Sequence, residues 1–356
     1  YGLIIDIVLT VGFVMTIVPF LQTIVARRVN RMYVALWYWT AGMLWTAINF
    51  VLGNYVLPYG PGGSTSAALH GFYLHNVVGL WITPMGLGAV YYMLPVVAKA
   101  PIYSHKLSLL GFWALALFYP LNGVHHYIYS PIADWAQTIA IAASMMLIVP
   151  VWAFSVNVWG TMQGNWHKFT SGNNYTLKFV ILGGVWYLIT CFQGPFEALR
   201  GMQRLTHFGE FNVGHAHSAV FGAFSIWAMA TVYFVLPKVF GRQIWSNKLA
   251  AWHYWLEIIG FAVMFGALTI AGFQQGTQLL TSDVSWIESM NGIKIFWVSR
   301  TIGGTMMDIG LAFFVFNIVM SFACGKRAEA GPTGADAEVF RPQDAKAEAT
   351  TASASV

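Results

Sequence analysis

The residues in this chain best suited to chemistry are histidines. Ten occur among its 356 residues, and five of them lie within apolar runs: His75, the adjacent pair His125 and His126, and His215 with His217. An ionisable side chain in the hydrocarbon layer is costly and is by default a functional candidate. Neutral imidazole is a preferred ligand for copper and a usual axial ligand for haem iron, and it brings no charge into the membrane. Adjacent residues on an α-helix diverge by about 100°, so His125 and His126 can face one metal only where their helix is distorted, and Pro120 supplies a cause. With His75 they make a three-imidazole copper site. His215 and His217 diverge by about 200°, which sends them to opposite faces of one helix and lets that helix hold a haem on each side. A core role, with each ring bonded to a backbone carbonyl, would leave five imidazoles at one depth unaccounted for. His105, His167 and His253 fall in or near connections and read as solvated or interfacial, while His70 and His207 lie nearer the opposite loops.

The elements that must position these rings follow from composition. The chain is 57% hydrophobic and 16% aromatic, with only 9% charged residues, against about 25% charged in a soluble domain. Too little charge is left to cover a water-facing surface. Apolar runs of about 20 residues, the length that crosses a hydrocarbon layer of about 30 Å as a helix, recur along the chain. The fold class is therefore all-α, a polytopic transmembrane helical bundle. Nine spans are expected, over residues 1–26, 33–56, 67–97, 107–129, 135–159, 175–199, 210–237, 249–279 and 292–322, forming one membrane core over 1–324. Residues 325–356 are rich in Ala, Glu, Thr and Ser, lack apolar periodicity, and are expected to be a disordered tail. The chain opens at Tyr1 beside an apolar run, not at a methionine followed by basic residues, so its true start is expected upstream.

The net charge of +5 does not point to nucleic acid, because the basic residues are dispersed over short loops and helix ends. Arg27, Arg28, Arg31, Lys99, Lys106, Lys168, Lys238, Arg242 and Lys248 fall in the connections after spans one, three, five and seven, whereas Arg200, Arg204 and Lys294 are offset by Asp134, Glu210, Asp283 and Glu288. The positive-inside rule then places Tyr1 at the outer face and the tail in the cytoplasm, in a bacterial inner membrane. Cys191 and Cys324 sit at different depths and have no metal-type spacing, so no disulfide is expected between them.

The segment from Tyr103 to Tyr129, YSHKLSLLGFWALALFYPLNGVHHYIY, and the GHAH run at Gly214–His217 resemble the haem-copper oxidase superfamily, and within it the catalytic subunit of the cbb3-type cytochrome c oxidases. PKVFGR at 237–242 and the SRTIGG stretch containing Arg300 are similar to that family as well. The resemblance implies a terminal oxidase that reduces dioxygen to water, with electrons from cytochrome c delivered by c-type cytochrome subunits, coupled to proton uptake and translocation. It implies copper on His75, His125 and His126, a high-spin haem b on His215 and a low-spin haem b on His217. Tyr119, six residues before His125, matches the family's tyrosine that is covalently bonded to the first copper histidine, here His75. Arg300 is expected to pair with haem propionates, and Ser104 and Ser108 to lead protons toward Tyr119. Two departures stand out. The family has about twelve helices, the first of which carry the other axial histidine of the low-spin haem; here that ligand must come from a missing segment or another chain. The family's FEGP motif reads Phe192, Gln193, Gly194, Pro195, which replaces a chargeable group with an amide. The alternatives are a nitric oxide reductase of the same superfamily, which has a glutamate where this chain has Gly79, and a proton-coupled transporter without redox cofactors.

Overall fold

The computed structural model describes residues 2–27, 29, 31–60, 62–328 and 340. The regular elements among them are helical, apart from one isolated bridge between Arg242 and Arg327. Eight helices are long and apolar enough to cross a membrane: α1 (Leu3–Val25), α3 (Gly63–Ala98), α4 (His105–Tyr127), α5 (Asp134–Met162), α6 (Tyr175–Ala198), α7 (Glu210–Phe240), α8 (Asn247–Thr281) and α9 (Lys294–Cys324). The remaining expected span is also helical, α2 (Val34–Val51), but is not one of these eight. Most of the expected tail lies outside the described residues.

Three helices contain π-helical turns, at Leu52–Val56 after α2, Val78–Ile82 within α3 and Ser218–Ser225 within α7. Such wide turns insert a residue into the helical register and frequently mark functional sites. Two of them directly follow the histidine-bearing stretches of α3 and α7.

The chain forms two compact units. The first comprises Tyr1–Ala89, Lys106–Phe154 and Cys191–Arg204. Its packing is aromatic: the Trp37 and Tyr38 rings meet Phe112 edge-on at 5.5 and 5.2 Å, and the Trp45 ring stacks on it at 5.8 Å. Beside α4's end, Val124, Ile132 and Ala140 pack with Ala68, Phe72 and Tyr127. Asp134 caps this region with an ion pair to Arg200 at 2.7 Å.

The second unit comprises Val90–His105, Ser155–Thr190 and Leu205–Val356. Trp186, Phe261, Met264, Leu268 and Met307 form its apolar core. Here α8 and α9 cross through Gly260 and Gly303: a Cβ at Gly260 would stand 2.6 Å from the Gly303 carbonyl oxygen. Only small residues let two helix backbones approach so closely within a membrane, where dispersion contacts supply the attraction that water supplies elsewhere.

Candidate metal centre

The site starts with a helix that stops early. The α-helical part of α4 ends at Phe118, and Tyr119–Leu121 and Gly123–Tyr127 continue it as 3₁₀ turns. Pro120 cannot donate a backbone hydrogen bond, which accounts for the break. The chain then leaves the helix at Ile128, which is extended, and at Tyr129, whose φ is 67°. Gly123 lies so close to α3 that a Cβ there would stand 2.8 Å from both the Gly71 oxygen and the Phe72 Cα. The distortion expected from Pro120 is thus present, and it turns His125 and His126 toward His75 on α3.

The three rings converge. His75 Nδ1 lies 3.0 Å from His126 Nε2, and His125 Nε2 lies 3.1 Å from the same atom. One ligand nitrogen from each ring falls within 4.8 Å of the others. Three nitrogens each about 2.0 Å from one ion would be about 3.3–3.5 Å apart, so the two contacts to His126 are each only a few tenths of an ångström shorter than a shared metal would set them. An all-imidazole donor set suits copper. Ser144 on α5 fixes the tautomer of one ligand: its hydroxyl donates to the Ala140 oxygen at 2.7 Å and accepts from His125 Nδ1–H at 2.6 Å. The His125 Nε2 lone pair is thereby left facing the cluster. Ser144 is 1% exposed and has no sequence motif, so spacing alone did not reveal it.

Tyr119 completes this centre. Its ring stacks on His75 at 4.6 Å between centroids and 18° between planes. It also fills the space over Gly79, where an added Cβ would fall inside the phenol ring. Glycine in the π turn of α3 is therefore a requirement of Tyr119's position.

In the second unit, His215 and His217 lie in the regular α-helical start of α7, so their side chains leave opposite faces as the spacing implied. His217 Nδ1–H donates to the Val213 oxygen at 2.7 Å, which presents Nε2 outward as an axial ligand would be presented. Below His215, the Ser218 hydroxyl donates to the His215 carbonyl oxygen at 2.7 Å and accepts from Thr190 at 2.7 Å. Both histidines fit a haem-holding role by donor type, and the His217 ring is anchored for it.

The other expected site residues are dispersed. Arg300 is half-buried on α9, near the Lys294 end. Ser108 is fully buried in α4, and Ser104 precedes that helix, its backbone N–H donating to Asn157 Oδ1 at 2.8 Å. Gln193 is half-buried on α6, and Glu197, one helical turn further along the same face, is a buried acid that the sequence motifs did not single out. His253 departs from its expected place: it is 0% exposed, not interfacial, because α9, α6 and α7 pack over the first turns of α8.

Residues 2–306 match the family model of cytochrome c and quinol oxidase polypeptide I. The chain belongs to this family. It is 32% identical over 339 residues to the cbb3-type cytochrome c oxidase subunit CcoN1 of Stutzerimonas stutzeri, covering 91% of this chain and 71% of the relative. It is 30% identical over 347 residues to the cytochrome c oxidase subunit 1 homolog of Agrobacterium tumefaciens (strain T37), covering 93% of this chain and 64% of the relative. A solved structure of a heme-copper terminal oxidase dimer superposes with a TM-score of 0.68 at 19% identity, covering 83% of this chain and 56% of the other, which supports the fold. The chain therefore spans between 64% and 71% of the length of these two relatives.

Proposed function

We propose that this chain carries the catalytic core of a terminal respiratory oxidase, reducing dioxygen to water with electrons from cytochrome c that arrive through c-type cytochrome subunits. The observation that supports this most is the three-imidazole cluster of His75, His125 and His126 with Tyr119 stacked against it. Copper is the metal those three rings suit, His215 would hold a high-spin haem b, and His217 would hold a low-spin haem b. When bound, the haems and copper supply the electrons and the open coordination positions that dioxygen reduction needs.

The chain's own residues do the rest. Ser144 holds His125 in the tautomer that offers Nε2 to the metal. Tyr119, stacked on His75 and expected to be covalently linked to it, would be the side chain that holds a proton and an electron available to the centre. Protons reach it from the cytoplasmic side by way of Ser104 and Ser108. Arg300 offers two parallel N–H donors to a haem propionate, a pairing that would settle a cation within the membrane.

The nitric oxide reductase alternative is disfavoured by Gly79, since a glutamate there would collide with the Tyr119 ring. Purification of the full-length protein with its partner subunits tests the choice. Visible haem bands, one copper per high-spin haem and oxygen uptake with reduced cytochrome c are the expected results. Non-haem iron in place of copper would favour the reductase, and a preparation without haem bands would end the oxidase proposal in favour of a transporter.

A further inference from the structure

A second polar feature is buried in the membrane, apart from the histidines assigned above. Glu257 on α8 is 1% exposed, and neither carboxylate oxygen has a hydrogen-bond partner among the described residues. One turn earlier, His253 is 0% exposed, with Nε2 3.5 Å from Glu257 Oε1 and Nδ1 3.1 Å from the Tyr233 hydroxyl on α7. Phe179 and Phe314 close over the imidazole, each with its centroid 4.8 Å away. The carboxylate lies against α9 at Gly310, where an added Cβ would stand 3.0 Å from Oε1. Any larger side chain at 310 would displace the acid.

The cluster is not isolated from the membrane surface. The Tyr233 side chain lies within interaction range of Asn317 on α9. Asn317 is itself fully buried and is clamped to the N-cap of α8: the Ser246 N–H donates to its Oδ1 and its Nδ2 donates to the Ser246 oxygen, both at 2.9 Å. Ser246 belongs to the connection containing Arg242 and Lys248, one of the basic connections. Polar side chains therefore line the way from that face through Asn317, Tyr233 and His253 to Glu257. With about 1.5 Å of rise per residue, His253 lies about 10 Å along α8 from Ser246 and Glu257 about 6 Å deeper. The other titratable groups facing it are Asp308 on α9, within electrostatic reach of Glu257, and Tyr175 on α6, within reach of Tyr233.

A purely structural ion pair does not explain this arrangement. A buried charged pair is retained only with good geometry and with its remaining lone pairs satisfied, whereas here the contact is long and the carboxylate accepts no other bond. A group in that position holds a proton, or gives one up when a charge elsewhere changes. We propose that Glu257 and His253 form a buried proton-binding pair that shares one exchangeable proton and is loaded from the basic face of the membrane through Tyr233. In the loading step the Tyr233 O–H bond breaks as an Nδ1–H bond forms on His253. The His253 Nε2–H bond then breaks as an O–H bond forms on Glu257, and Tyr233 is reprotonated from the aqueous side. The net change is one proton moved from water to the carboxylate, with the imidazole tautomer exchanged. No electron moves in the step. Coupling of this proton to turnover rests on the oxidase function proposed above; the pair's capacity to bind a proton does not.

Infrared difference spectroscopy of the complete complex tests the pair. An equilibrium pH titration, which requires no turnover, is expected to reveal a protonated-carboxyl C=O band that shifts in D₂O and is lost in Glu257→Gln. The same band is expected in reduced-minus-oxidised spectra if the pair is coupled to electron transfer. Tyr233→Phe, which keeps the ring packing, is expected to leave the equilibrium band in place and slow its appearance after a pH jump. Retention of the band in Glu257→Gln, or a band that responds to neither pH nor redox state, overturns the proposal. A band that titrates in a complex lacking haem signals would sink the oxidase function and leave the proton-binding pair standing.

Discussion

Replacing Ser144 by alanine probes the support behind the three-imidazole cluster. The serine hydroxyl accepts from His125 Nδ1–H at 2.6 Å, and its own proton is committed to the Ala140 oxygen. Alanine removes the acceptor from a site that is 1% exposed, so the Nδ1–H loses its bond and the imidazole is free to rotate or change tautomer. Leaving a buried donor unsatisfied costs about 1–3 kcal/mol. At about 1.4 kcal/mol per tenfold, that corresponds to copper held about 5- to 150-fold more weakly, the range seen when groups hydrogen-bonded to metal ligands are removed elsewhere. The assay is copper retention after dialysis against a series of chelators of known copper affinity, with haem content from the visible spectrum as internal standard. Ser144→Thr keeps the hydroxyl and should hold copper like the parent. If Ser144→Ala retains copper within about twofold of the parent, well under the range worked above, His125 is not held by this bond and the tautomer assignment fails.

Further outcomes can be checked on the same preparation. Gly79→Ala puts a methyl inside the Tyr119 ring; overpacking of about 1–3 kcal/mol or more should displace the tyrosine and lower both copper content and turnover, and normal values would show that α3 can shift. Tyr119→Phe keeps the packing against His75 and should abolish oxygen reduction with haem bands nearly intact, so near-normal turnover would remove the tyrosine's redox role. Ser108→Ala should slow proton uptake; an unchanged rate would show that protons reach Tyr119 by another way. Gly303→Val drives a branched side chain into the Gly260 carbonyl and should lower the thermal denaturation midpoint markedly, whereas an unchanged midpoint would mean that the α8–α9 crossing tolerates separation.

The spans were legible because an uninterrupted apolar run of membrane length is rarely made for anything but a bilayer, and His75, His125 and His126 stood out because an imidazole in such a run is costly. Pro120 correctly foretold that α4 would not continue as an α-helix through His125. What could not be read are contacts made across helices. Ser144 supports His125 from α5, and nothing in the spacing of either run couples them. His253 was misplaced for a related reason: seven residues from the helix cap, it looks interfacial until Phe314 of α9 and Phe179 of α6 are seen to cover it. Glu257 and Glu197 carry no motif that singles them out, because burial depends on which neighbours arrive, and that is a property of the packing.

The π turns give length variation an unusual meaning in this molecule. A residue removed from a loop shortens it, but one removed from Val78–Ile82 would let α3 close into an ordinary helix and rotate His75 by about 100° relative to the stretch beyond Thr83. The helix would remain long enough to cross the membrane, and its composition would hardly change. Yet the ring would point away from His125 and His126. The same holds for Ser218–Ser225, which sets the phase between the His215–His217 face and the packing surface of Ile226–Phe240. In these two helices a single-residue gap would act as a dial on the direction the histidines look.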